Sequence, residues 1–206
     1  MIDAHAHLSD PRLVPLETVL DRAREAGVEH ILMAGTSPGE WERQRAISLE
    51  HSDVSMVFGL HPWEATGHDA VQEGLRLLKE QLDSSAPPTA IGETGLDRSP
   101  RHVGSLSHQR ESLMRHLELA VLRDLPVVLH VVRAHGMMLD ILRDLSTLPR
   151  AVVHAFDGSL EVAKGYEALG VHLSIGGRAC APNARRLHRA VPGICRDLLL
   201  LETDSP

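Results

Sequence analysis

The sequence predicts an α/β fold, a TIM-like (β/α) barrel, and three observations carry that prediction. Eight short apolar runs alternate with seven longer amphipathic stretches along the chain. Several of these runs are rich in Val, Ile and Leu and too short for helices, as strands buried on both faces of a parallel sheet are. The nucleotide-binding fingerprints of a doubly wound open sheet, GxGxxG after the first run or GxxxxGK[ST] anywhere, are absent. Repeated strand–helix units imply parallel pairing with right-handed crossovers, and eight of them suggest closure.

The strands are expected at Met1–Ala4, His30–Ala34, Val54–Leu60, Thr89–Ile91, Pro126–Leu129, Ala151–Val153, Val171–Ile175 and Leu198–Leu201. Between them the helical period places helices at Leu16–Ala26, Pro38–Glu50, Ala70–Leu82, Ser107–Arg123, Gly136–Leu145, Leu160–Leu169 and Asn183–Val191. In the fourth, Leu113, Leu117, Ala120 and Val121 are expected on one face. Gly27 and Gly170 stand where helices should end before the next strand. Barrels of this type run to about 250 residues. Here the 206 residues end directly after the eighth strand. The expectation is a single domain over 1–206, truncated at its C-terminus and lacking the last helix.

Composition narrows the function. A formal charge of −7 argues against coating nucleic acid by broad electrostatics, though not against local capture of a strand end by a cation-bearing pocket. Five aromatic residues are too few for an extended base-stacking platform. No apolar run reaches membrane-spanning length, and the N-terminus lacks the basic start and apolar stretch of a signal peptide, so a cytoplasmic protein is expected. Cys180 and Cys195 form neither a disulfide framework nor a CxxC pair and are expected to be ordinary thiols.

Histidine is the outlier, fourteen in all, and position decides which ones matter. His5 and His7 follow the first strand and Glu93 the fourth. His130, His154 and Asp204 end the fifth, sixth and eighth. All six occupy strand carboxyl ends, where barrel enzymes gather catalytic groups from distant parts of the chain. In His5-x-His7 the two side chains share one face of a strand, so both imidazoles point into the barrel mouth. HxH alone is weak, and a lone histidine at a strand end is more often structural. Six suitable residues on one rim point to a metal centre. Four histidines and two carboxylates suit Zn²⁺, Mn²⁺, Co²⁺ or Fe²⁺, whereas Mg²⁺ prefers oxygen-rich shells. Two divalent metal ions need a bridging anion, and Glu93 is the best candidate. No lysine lies near the ends of strands three to five, which excludes a carbamylated-lysine bridge.

Six stretches together resemble the TatD family of metal-dependent deoxyribonucleases, which are amidohydrolase-like barrel enzymes. They are Ile-Asp-Ala-His-Ala-His-Leu, Gly-Leu-His-Pro-Trp, Ala-Ile-Gly-Glu-Thr-Gly-Leu-Asp, Leu-Pro-Val-Val-Leu-His, Val-Val-His-Ala-Phe-Asp-Gly-Ser and Leu-Leu-Leu-Glu-Thr-Asp-Ser-Pro, in the family's order. The resemblance implies that His5, His7, Glu93 and Asp204 hold one metal and Glu93, His130 and His154 the other. It implies that His61 faces the substrate and helps bind its phosphate, and that Glu202 belongs to the active-site carboxylates. An equal reading has Glu202 orienting a ligand histidine. Asp97 is expected as a turn residue. Trp63 could stack on a base, although a packing role in the wall is the simpler expectation. Where many relatives carry Ser-Arg after the strand-five histidine, this chain has Val131 and Val132. Arg133, displaced by one residue, is the nearest guanidinium for substrate binding.

Two adjacent cations would activate a water and neutralise charge growing on a scissile phosphate, with Asp204 as proton acceptor. The resemblance implies a DNase of the 3'-5' exonuclease type acting on single-stranded or frayed DNA ends. A related metallohydrolase of a small lactone, amide or phosphodiester would use the same ligands. An inactive truncated scaffold is the reading from another class.

Overall fold

A computed structural model describes residues 1–206. Eight strands form one sheet in chain order, each parallel to the next: β1 Ile2–Ala6, β2 His30–Ala34, β3 Val54–Phe58, β4 Ala90–Asp97, β5 Val127–Val132, β6 Ala151–Val153, β7 His172–Ile175 and β8 Leu199–Leu201. Seven α-helices intervene: α1 Leu16–Glu25, α2 Pro38–Glu50, α3 His68–Leu82, α4 Leu106–Arg123, α5 His135–Asp144, α6 Leu160–Glu167 and α7 Arg185–Ala190. None is long and apolar enough to cross a membrane. The barrel expected from the alternation is the fold.

The seam between β1 and the segment after β8 is closed by main-chain hydrogen bonds. His7 donates its N–H to the Ser205 carbonyl (2.7 Å), and Asp204 donates to that of His5 (2.9 Å). The buried Asp3 carboxylate accepts from the Thr203 backbone N–H (2.9 Å) and hydroxyl (2.7 Å). The stretch bearing Asp204 is therefore tied to the strand bearing His5.

Most of the core lies between sheet and helices, in one cluster of forty buried residues. Burial of this apolar surface is what favours closure. A second, small cluster of Val57, Ala90 and Val128, with Leu32 and Val152 packed on it, fills the other face of the sheet. Since strand side chains alternate, His130 and His154, two residues beyond Val128 and Val152, stand on that same face. The interior is thus apolar at its base and polar at its carboxyl end.

Several strand limits differ from the apolar runs. β1, β4 and β5 extend to Ala6, Asp97 and Val132, so His5, Glu93 and His130 lie within strands rather than after them. Polar site residues interrupt the hydrophobic signal before the ladder stops. In α4, Leu113, Leu117 and Ala120 are buried but Val121 is exposed. It stands about 80° around the helix from Leu113, outside the core stripe. Gly27 and Gly170 take left-handed φ of 84° and 70° after α1 and α6, and both cysteines are free.

Candidate metal centre

β4 positions Glu93 by bringing its backbone against its neighbours. Gly92 and Gly95, on either side of Glu93, have φ of 142° and 152°. A Cβ on Gly95 would stand 2.0 Å from the His130 carbonyl oxygen, and one on Gly92 2.6 Å from that of Val128. Only glycine satisfies both the backbone angle and the contact, and the β4–β5 register is irregular between Ile91 and Thr94. The Gly-Glu-Thr-Gly sequence thereby sets the buried Glu93 carboxylate against β5.

Its two oxygens face two groups of donors. Oε1 lies 3.3 Å from Nε2 of His5 and 3.3 Å from Nε2 of His7, which are themselves 3.3 Å apart. Asp204 Oδ1 stands 3.7 and 3.5 Å from these nitrogens. Four N and O donors bound tetrahedrally to one cation stand about 3.3–3.6 Å from one another, so this set fits a metal. Oε2 lies 2.9 Å from His154 Nε2 and 3.4 Å from His130 Nδ1, with those two nitrogens 3.0 Å apart. The rings of His5 and His154 stack at 4.0 Å between the two groups.

Buried Glu93 Oε1, which faces His5 and His7, has no hydrogen-bond partner within the protein. Buried polar atoms are rarely left so, and a carboxylate sunk among imidazoles needs cationic compensation. Burial holds His5 near a pKa of about 4, with neighbouring His154 adding to it. Its imidazole is neutral, as a ligand must be. Burial works against ionised Glu93, yet the surrounding histidines, His154 and His5 foremost, draw its carboxyl well below the usual range. Asp204 is likewise lowered, against burial, chiefly by its hydrogen bond with His7. Its side chain is 41% exposed, so of this group it opens most to solvent, and its φ of 53° turns it into the mouth.

Two carboxylates stand behind these histidines. Glu202 Oε1 accepts the Ala155 N–H (2.6 Å) and lies 3.9 Å from Nδ1 of His154, on the far side of the ring from Glu93. Glu202 also stands with His5 and His154 within reach of a single cation, so the structure is compatible with both readings of Glu202. Asp97 is more than a turn residue. It is buried in β4, its Oδ2 accepts the Trp63 indole N–H (2.7 Å) and lies 3.7 Å from His130 Nε2, and its Oδ1 accepts the Ser99 N–H. Burial opposes the His130 imidazolium, but Asp97 and Glu93 raise its pKa to about 9. Two further residues escaped sequence reasoning. Gln109 accepts the Asp97 N–H and donates to the carbonyls of Asp97 and His102, locking the loop after β4. His116 Nε2 accepts the Leu60 N–H (3.1 Å) while Nδ1 donates to the Ser112 carbonyl (2.7 Å), fixing the turn that precedes His61. A polar residue on the buried stripe of α4 was the available signal.

The structure brings His61 into the second donor group, 3.2 Å from His130 Nδ1 and 3.7 Å from Glu93 Oε2. Its Nδ1 accepts the Trp63 N–H, so the neutral ring carries its proton on Nε2 and presents a donor, not a lone pair. Burial keeps it neutral, with a pKa of about 3. Trp63 is 51% exposed, with one face stacked on His102 at 4.9 Å, so it is not packed into the core. Arg133 lines the main cavity, about 630 Å³, together with His130, His154 and Asp204.

The model of the TatD related DNase family matches residues 2–206. The 3'-5' ssDNA/RNA exonuclease TatD of Cronobacter sakazakii is 37% identical over 92% of this chain and 72% of its own length. The metal-dependent hydrolase YjjV of Escherichia coli is 34% identical over the full chain and 79% of its own. The crystal structure of the E. coli TatD homologue YjjV superposes with a TM-score of 0.91 at 33% identity, covering 99% of this chain and 78% of that one. Donor geometry, fold and kinship agree: the chain belongs to the TatD related DNase family and is a metal-dependent hydrolase.

Proposed function

We propose that the chain hydrolyses phosphodiester bonds of single-stranded DNA or RNA in the 3'-5' direction, using two divalent ions held across Glu93. The observation that carries this reading is the Glu93 carboxylate, with one oxygen toward each donor group. The named activity of the Cronobacter relative supports the substrate. In this reading His5, His7, Glu93 and Asp204 hold one ion and Glu93, His130 and His154 the other, with Zn²⁺, Mn²⁺, Mg²⁺ and Co²⁺ as the ions to compare. Bound there, the ions supply an activated water and offset charge on the scissile phosphate.

The chain's own residues do the rest. Asp204, ionised and open to the cavity, accepts a proton from the attacking water. His61 donates from Nε2 to a phosphate oxygen. Glu202 keeps the His154 ring aligned. Trp63 offers its free face to a terminal base, and Arg133 pairs with the phosphate.

Purified protein supplied with Mg²⁺, Mn²⁺ or Zn²⁺ should shorten 5'-labelled single-stranded DNA stepwise, and Asp204→Ala should not. Absence of cleavage with all three ions refutes the nuclease. Lactones, amides and bis(nitrophenyl) phosphate tested in parallel separate it from a hydrolase of small substrates with the same ligands.

A further inference from the structure

Several arginines of the outer helices and their loops are answered by carboxylates: Arg12 by Asp10, Arg24 by Asp53, Arg76 by Glu73, Arg115 by Glu118 and Arg123 by Asp83. None of those beside the metal centre is among them. A second cavity of about 430 Å³ is lined by Arg133, Arg178, Arg185 and Arg186, and its one carboxylate, Asp157, is turned toward His135 at 3.4 Å. The four come from three places in the chain: the end of β5, the turn after β7 and the start of α7. Arg133, Arg178 and Arg186 also line the larger cavity that holds Asp204, so the two spaces share a wall.

Four guanidinium groups gathered on one wall repel one another, and on a chain of net charge −7 no shortage of carboxylates explains why they stand unpaired. A guanidinium presents a fork of donors that matches a phosphate. We propose that Arg178 and Arg186, flanked by Arg185, hold the phosphate of the nucleotide next to the scissile one. This rests on the nuclease reading and deepens it. The preferred substrate is an oligonucleotide carrying a second phosphate, not an isolated phosphodiester, and the chain concentrates its positive charge where the strand lies.

The test measures binding separately from cleavage. Fluorescence anisotropy of the metal-loaded protein with labelled phosphorothioate thymidylates, which resist hydrolysis, compares a dimer with a hexamer. Wild type should bind the hexamer about tenfold more tightly, with a slope of log K against log salt steeper by about 0.7 for each extra phosphate held. Arg178→Ala/Arg186→Ala should lose the gain with length and about 0.7 of that slope. Arg178→Lys/Arg186→Lys should keep most of the slope. An Ala variant with wild-type length dependence and slope overturns the subsite. Cleavage of unmodified hexamer is scored in parallel. Arginine-dependent binding without cleavage refutes the nuclease and leaves the phosphate site standing. Cleavage with unaltered KM and slope in the Ala variant refutes the site alone.

Discussion

The Oε2 oxygen of Glu93 lies 2.9 Å from Nε2 of His154, while the other oxygen of the same carboxylate faces His5 and His7. One side chain thus serves two donor groups, and its removal should be felt by both. Metal analysis by mass spectrometry should find about two ions per wild-type chain. Glu93→Gln should lose both, whereas His130→Ala should lose about one. Retention of both ions by Glu93→Gln would remove the bridge.

Asp204 is the proton acceptor of the proposed reaction, so Asp204→Asn should lower kcat by about 10²–10⁴. Substrate binding should change much less. Single-turnover cleavage of labelled single-stranded DNA checks this, and a change confined to KM would give Asp204 a different role.

In the proposed reading Glu202 acts through His154. Glu202→Gln should weaken metal affinity about 10–100-fold and recover activity when metal is raised. Titration of activity against metal concentration distinguishes this from a direct chemical role, in which no excess of metal would help.

Much of this arrangement was legible in the sequence, because a parallel barrel carries its chemistry at strand ends and those ends are marked by apolar runs. The six proposed ligands were read from that rule and from the family resemblance. His61 lay closer to them than expected, since the turn that carries it is set by a hydrogen bond from Leu60 to His116, fifty-six residues away. Asp97 and Gln109 were missed for the same reason: their roles exist only through partners on other elements. The Arg178–Arg186 wall was invisible because the end of β5, the turn after β7 and the start of α7 build it, and no periodicity links them.

Gly95 tolerates no side chain. Gly95→Ala should cost about 4 kcal/mol, read as a lowered urea midpoint. Ala at Gly27, with open space around it, should cost about 1 kcal/mol.

His116 gives the fold an acid sensitivity of its own. Burial lowers its pKa from 6.5 to about 4. Below 6.5 the unfolded ring takes up a proton that the folded site refuses, so its contribution is complete above 6.5 and is lost as pH falls toward 4. The loss amounts to about 3 kcal/mol. His116→Gln should flatten the pH dependence of the urea midpoint over that window, and an unchanged slope would contradict it.

The pairing of Asp3 with Thr203 spans two hundred positions. A chain emerging from the ribosome makes His5 and His7 early and Asp204 only after seven helices have been synthesised. Two of the four donors of the first group are therefore present while the last is missing, and early capture of metal would be by a pair too weak to discriminate among ions. On the proposed ligand set, closing the seam delivers the carboxylate and fixes its distance in one event, so refolding in mixed-metal solution should load the same ions as exchange into the native chain.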